Sequence, residues 1–193
     1  MSEVPESLNL KVFTEFPIIR TPRLVLREIQ STDALQIFSM RSNVNVNRFI
    51  PRDEMKNETD TKRLILQVKE DYKQMRSIGW AAEINGTGSI IGTCGFAEID
   101  RENLRAEIGG ELSPDYWGKN IALEAVKEVI KFGLQEMNLH SIEAKVQAGN
   151  VGAVFLLEKL GFVKEGHLRE HNYHNGKFSD LLIYSRIKQL LPK

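Results

Sequence analysis

Cysteine is almost missing from this sequence: Cys94 is the only one in 193 residues. An intramolecular disulfide is excluded, and a reduced compartment fits best. Its flanks, Ile91-Gly92-Thr93 and Gly95-Phe96, read as a strand interior, so Cys94 is expected as a small buried hydrophobe. The sharper reading, a nucleophilic thiol, has no local motif behind it. An excess of one charge is missing too. Lysine plus arginine equals aspartate plus glutamate at 26 each, so no global field recruits nucleic acid or an anionic membrane. No apolar run of spanning length occurs, and no signal or transit peptide is recognisable, so a soluble cytoplasmic protein is expected. Repeats and composition-biased linkers are likewise lacking. What is there, 41% hydrophobic and 27% charged residues, fits one globular α/β or α+β domain with a proper core.

Residues Met1 to Pro17 show no convincing period and are expected as a tail or a loosely packed first turn, with 1–18 set apart as an N-terminal tail or arm from a single domain over 19–193. Arg23 to Ile29 alternates as a strand, and Ser31-Thr32-Asp33 signals a helix N-terminus leading into Ala34 to Met40. Arg41 to Glu58 is polar around Phe49-Ile50 and predicts a surface loop or broken helix, where substrate contacts often sit. Thr59 to Arg76 carries Leu64, Val68, Tyr72 and Met75 at helical spacing. Trp80 to Ile84 and Ile90 to Ile99 flank the hairpin signal Asn85-Gly86-Thr87-Gly88, and a second turn at Arg101 to Leu104 leads into a strand from Arg105 to Leu112. A helix from Ile121 to Met137, a strand from Ser141 to Gln147, a helix from Val151 to Leu160 closed by Gly161, and two strands joined around Asn175-Gly176 complete the order. Three antiparallel strands followed by β-α-β-α-β-β make one mixed-sheet α+β domain.

The stretch from Glu107 to Leu134 organises the rest. A strand bearing two acids stops at Ser113-Pro114, a polar loop follows, and an amphipathic helix starts at Ile121 with Ala122, Ala125, Val129 and Phe132 on one face. Free backbone N–H groups from Gly118 to Ala122 would converge at the positive end of the helix dipole, which suits a phosphate or pyrophosphate. The plain alternative is an ordinary βα turn.

Several segments in this order resemble the GNAT superfamily of acyl-CoA-dependent N-acyltransferases, and most of all its RimJ/RimL-type protein N-terminal acetyltransferases. They are Thr21-Pro22-Arg23-Leu24-Val25-Leu26-Arg27, Ile90-Ile91-Gly92, Ala106-Glu107-Ile108-Gly109, Tyr116-Trp117-Gly118-Lys119, Ala122, Glu124-Ala125, Asn150, and Leu157-Glu158-Lys159-Leu160-Gly161-Phe162. The resemblance covers about Ile19 to Ile187. It implies a GNAT fold: a twisted, mostly antiparallel sheet of six to seven strands with about four helices, in which a splayed strand pair binds acetyl-CoA. It also implies that backbone groups of Glu111, Leu112 and Ser113 pair with the pantetheine amides and that Trp117, Gly118, Lys119, Asn120, Ile121 and Ala122 receive the pyrophosphate. Asn150 is implied to bond the pantetheine arm, or to cap the helix after it, or both, and Phe155 completes the cofactor set. Asn120 stands where the superfamily loop prefers glycine; asparagine tolerates left-handed φ better than other side chains do, so the loop shape can survive.

The implied reaction is attack of a primary amine on a thioester carbonyl, which calls for a base, a donor to the oxyanion and an acid for the thiolate. Glu111 and Glu107 are the candidate bases, with Glu111 preferred because it lies nearer the loop. Together with Gly109 they share one face of the strand. Either acid alternatively just pairs with a neighbouring cation. The acid is the weakest link: relatives carry serine or tyrosine where this chain has Ala153 and Leu157, which leaves water, or Tyr173, His171 or His174, to protonate the thiolate. His171 and His174 have no third ligand motif beside them, so no metal is expected. The expected acceptor is a protein N-terminal amine. A small amine (polyamine, amino acid or aminoglycoside) and a catalytically idle acyl-CoA-binding module are the alternatives, and relatives are commonly monomers or dimers.

Overall fold

The computed structural model describes residues 7–52, 55–174 and 176–188. Its elements are β1 (Ile19–Arg20), β2 (Leu24–Glu28), α1 (Ala34–Arg41), α2 (Val44–Asn47), α3 (Glu58–Lys73), β3 (Ile78–Ile84), β4 (Ile90–Asp100), β5 (Arg105–Leu112), α4 (Ile121–Gln135), β6 (Ser141–Gln147), α5 (Val151–Lys159), β7 (Val163–His174) and β8 (Lys177–Ile187). The eight strands form one sheet in the order β1-β2-β3-β4-β5-β6-β8-β7. Every neighbouring pair is antiparallel except β5 and β6, which run parallel with α4 as the crossover. The expected mixed-sheet α+β architecture therefore holds, with the short β1 and the one-turn α2 added to the elements expected from the sequence.

Alternation along the central strands sends side chains to both faces. Ile78, Trp80 and Ala82 of β3 join Phe96, Ile108 and the buried stripe Ile121, Ala125, Val129 and Ile130 of α4 on one face. Ala81 instead joins Ile37 of α1 and Ile65 of α3 on the other. Close approach is built from glycine where it is needed: a Cβ on Gly133 would stand 2.5 Å from Phe96 Cζ, so only glycine lets α4 lie this near β4. Cys94 is buried in this core, and burial pushes its thiol up to about 12, which leaves it protonated and unreactive at neutral pH.

Of the two readings of the N-terminal stretch, residues Leu8 to Pro17 take that of a first turn, Leu10–Phe13, packed over the core. Leu8 is buried, Asn9 N–H donates to Met137 O at 2.9 Å, and Pro17 O accepts from Trp80 Nε1 at 2.7 Å. Phe13 and Phe16 pack on Tyr72 with ring centroids 5.3 and 5.0 Å apart. Isolated aromatics and single hydrogen bonds hold the segment, and such contacts leave no period in a sequence. Residues 1–6 of the expected arm lie outside the described residues. No helix among the described residues is long and apolar enough to cross a membrane.

Candidate active site

The loop between β5 and α4 turns through two left-handed residues, Gly118 at φ 71° and Asn120 at φ 57°, ψ 18°. Among the described residues the N–H groups of Gly118 to Ala122 meet no acceptor outside the helix. Two carbonyls of the same turn are held by an arginine. Arg23 donates through Nη1 to Lys119 O at 2.9 Å and through Nη2 to Asn120 O at 3.2 Å. Glu124, one turn into α4, fixes that arginine by accepting from its Nε at 2.6 Å and from its backbone N–H at 2.9 Å, and it accepts from Thr21 Oγ1 at 2.6 Å. Burial pushes the Glu124 carboxyl up, but the bonds from Thr21 and Arg23 outweigh it and hold the group below its ordinary 4.5. The result is a rigid, donor-lined cup at a helix N-terminus, which suits a phosphate group.

The neighbouring strands open beside this cup. β5 and β6 pair only at Arg105↔Ser141, Ala106↔Ile142 and Glu107↔Glu143, and beyond that point neither strand bonds the other. Roughly 13 Å of β5 edge, from Ile108 to Leu112 at about 3.3 Å per residue, faces an open wedge. Its far end is closed off by the chain itself. Trp117 Nε1 donates to Leu112 O at 2.8 Å, and Ser113 N–H donates to Ile91 O at 2.8 Å while Ser113 O accepts from Tyr116 N–H. Above Gly109 the face is empty, for a Cβ there would meet nothing within 4 Å. Across the wedge, Asn150 Oδ1 caps α5 by accepting from Ala153 N–H at 3.2 Å, and its Nδ2 has no acceptor among the described residues.

The segment between Arg41 and Arg52 crosses the wedge. At one end Arg41 Nε lies 2.6 Å from Glu111 Oε1 and Arg52 Nη1 lies 2.5 Å from Glu111 Oε2, the second contact being a charge contact bent away from hydrogen-bond geometry. Thr93 Oγ1 adds a long bond to Glu111 Oε1 at 3.4 Å. At the other end the Phe49 ring lies 3.1 Å from where a Cβ on Gly149 would stand, just after β6. Asn47 stitches the segment internally, accepting from Arg52 Nε and Nη2 at 2.9 and 2.7 Å and donating to Arg41 O. The described part of the polar stretch is thus an ordered wall reaching from β5 to the turn after β6.

A parallel strand pair that parts midway, beside a helix N-terminus with free amides, accords with the family comparison. Residues 23–163 match the model of the acetyltransferase (GNAT) domain. The chain belongs to the GNAT acetyltransferase family. It is 37% identical over 173 residues to the uncharacterized N-acetyltransferase YoaA of Bacillus subtilis (strain 168), covering 90% of this chain and 98% of that one. It is 27% identical to the spermidine N(1)-acetyltransferase of Vibrio cholerae serotype O1 over 82% of this chain and 90% of that one. Among solved structures, the ribosomal-protein-S5-alanine acetyltransferase of Vibrio fischeri superposes with a TM-score of 0.79 at 27% identity, over 89% of this chain and 97% of that one. The GNAT fold and acyltransferase activity follow from these matches.

Within this GNAT frame the residues singled out in the sequence separate. Glu107 and Glu111 do share one face of β5, but their surroundings differ. Glu111, the preferred base, has a side chain only 2% exposed, with both oxygens against arginines. Glu107 has one partner, Lys145 Nζ at 2.6 Å from Oε2, and leaves Oε1 without a partner among the described residues at the apex of the wedge. That bond is the main cause raising the Lys145 ammonium above its ordinary value. Lys119 turns back, its Nζ donating to Asp115 O at 2.7 Å, rather than reaching over the cup. The carbonyl of Leu112 and both backbone groups of Ser113 are engaged within the chain, whereas the β5 edge before Leu112 is open. Phe155 is exposed on α5, with Lys159 Nζ 5.7 Å from its ring centre.

Leu157 is buried, and no hydrogen bond or ion pair among the described residues links His171, Tyr173 or His174 to either glutamate. Tyr173 stacks on Phe178 at 4.8 Å. No group of three or more metal-binding side chains occurs among the described residues. Sequence reasoning assigned no role to Arg23, Glu124 or Lys145, and took Arg41 to Arg52 only as a stretch that could wall the acceptor pocket, without the pairing of its two arginines to Glu111. The only sequence signal for them was that Arg23 and Glu124 both fall in family-like segments, and that arginines bracket the polar stretch.

Proposed function

We propose that this protein transfers the acetyl group of acetyl-CoA to a primary amine, the N-terminal amine of a protein. The observation that carries the reading is the wedge between β5 and β6 running into the unengaged amides of Gly118 to Ala122. Those amides suit the pyrophosphate, the open β5 edge and Asn150 Nδ2 suit the pantetheine amides, and the apex at Glu107 suits the thioester. Glu107 Oε1, directly or through one water, takes a proton from the ammonium. The freed nitrogen attacks the thioester carbon while an N–H of the open β5 edge steadies the oxyanion. The C–N bond forms, the C–S bond breaks, and the second proton of the former ammonium passes from the nitrogen through water to the thiolate, since neither Ala153 nor Leu157 carries one. Net, one acetyl group passes to nitrogen, and one proton is released with the thiol.

A protein acceptor is supported by the hairpin of β7 and β8, which runs beyond the end of β6 on the side where the wedge opens and leaves Tyr173 and Phe178 exposed beside it. The reduced, buried Cys94 fits a cytoplasmic setting. The test is thiol release from acetyl-CoA over a panel of peptides and small amines, comparing wild type with Glu107→Gln. The expected result is turnover on peptides and a fall in kcat of about 100-fold or more in the variant with KM for acetyl-CoA little changed. Absence of thiol release with every amine, alongside tight coenzyme A binding, would leave an idle acyl-CoA-binding module instead.

A further inference from the structure

The clamp on Glu111 is unbalanced in charge. Two guanidiniums meet one carboxylate, so the cluster is net positive among the described residues. Burial lowers the Arg52 guanidinium from its ordinary value, and the charge of Arg41 lowers it further against the pull of Glu111. Arg52 is used up in geometry: Nη1 faces Glu111, and Nε and Nη2 donate to Asn47. Arg41 is not, because only its Nε is engaged and its two terminal nitrogens meet no acceptor among the described residues. Its side chain is 22% exposed, so those donors are partly within reach. Glu111 lies two residues along β5 from Gly109, on the same strand face, roughly 7 Å away at about 3.3 Å per residue. The space over Gly109 is open, and Glu107 stands on its other side.

From this arrangement we infer that the acceptor carries a carboxylate close to its amine: the carboxylate bonds the terminal nitrogens of Arg41, and the amine lies over Gly109 between Arg41 and Glu107. The inference rests on the acetyl-transfer reading and adds the acceptor's chemical class to it. A planar guanidinium with two parallel donors matches a carboxylate in a way an isolated ammonium does not. A polyamine would bring a second positive charge against the Arg41 guanidinium, so the acceptor set would differ from that of the spermidine-acetylating relative. An amine and carboxylate at this spacing occur in a free amino acid and in a peptide whose first or second residue is acidic.

The test compares kcat/KM for the peptide amides Ala-Asp-Ala-Ala, Ala-Ala-Ala-Ala and Ala-Lys-Ala-Ala, for free aspartate, and for spermidine, using the full chain, Arg41→Gln and Arg41→Glu. The wild type is expected to favour Ala-Asp over Ala-Lys, or aspartate over spermidine, by about tenfold or more, the scale of one charge-assisted bidentate contact. The peptide and aspartate arms tell a peptide acceptor from a small one. Arg41→Gln should collapse that ratio, and Arg41→Glu should invert it toward Ala-Lys or spermidine. A merely structural arginine would lower all acceptors alike with the ratio intact, and that outcome overturns the inference. So does a wild type indifferent to acceptor charge. Calorimetry with coenzyme A runs in parallel: binding with indifferent acceptors defeats only this inference, whereas absence of binding defeats the acetyl-transfer reading with it.

Discussion

Asn120 is the residue at which sequence and geometry meet most directly. It takes φ 57° at the position where the loop must turn left-handed, and asparagine pays less steric penalty there than other side chains. Asn120→Gly is therefore expected to keep stability within about 0.5 kcal/mol and to retain coenzyme A affinity, since glycine adopts this φ freely but loses more chain entropy. Asn120→Val should cost about 1–2 kcal/mol in a denaturant melt and weaken coenzyme A binding, because a branched Cβ resists left-handed φ and the turn changes shape. Glu124 supplies a pH test of the same loop. Its folded carboxyl titrates below the ordinary 4.5, so its contribution is complete above that value and is lost as pH falls through the lower folded value. Coenzyme A affinity should weaken over that acidic window in the wild type, and Glu124→Gln should remove that part of the pH dependence. An unchanged acid limb in the variant would show that Glu124 does not hold the cup.

Among the elements, the segment from α1 through α2 to Arg52 shows where reading a sequence stops. β6, α3 and α5 were legible because each repeats a period that burial enforces, and Asn150 announced its helix by a cap that the structure contains. The common face of Glu107, Gly109 and Glu111 also followed from strand alternation. The partners of those acids did not: Arg41 is 70 residues from Glu111, and such pairings depend on how a polar segment folds over the sheet. The N-terminal cover was left open between two readings for the same reason, since Phe13 and Phe16 act singly. If the segment truly roofs the wedge, Phe49 is its fastening on the β6 side. Phe49→Ala should then leave coenzyme A affinity near wild type, raise KM for the amine several-fold, and speed thiol release in the absence of amine as water enters. Stopped assays with and without acceptor measure both. A variant that weakens coenzyme A and amine equally would place Phe49 in general packing instead.

For the molecule as a whole, the wedge is a sheet left half-built. Among the described residues, the β5–β6 junction gives up its ladder partway and does not resume it, and bound ligand would supply the missing hydrogen bonds there. A ligand that completes such a sheet binds the folded chain and not the unfolded one, so it must stabilise by mass action. At a coenzyme A concentration about 100-fold over Kd the gain is about 2.7 kcal/mol. For a chain of this size that corresponds to a rise in Tm of roughly 5–11 °C, without any acceptor present. The rise should depend on the cup at the head of α4 and not on the clamp at Glu111. Gly118 sits at φ 71°, where a branched side chain is strained, so Gly118→Val should abolish most of the shift. Arg41→Gln should keep it, because Arg41 pairs with Glu111 and bonds none of these amides. A shift that survives Gly118→Val would move the pyrophosphate away from these amides, and with it the direction in which the thioester enters the wedge.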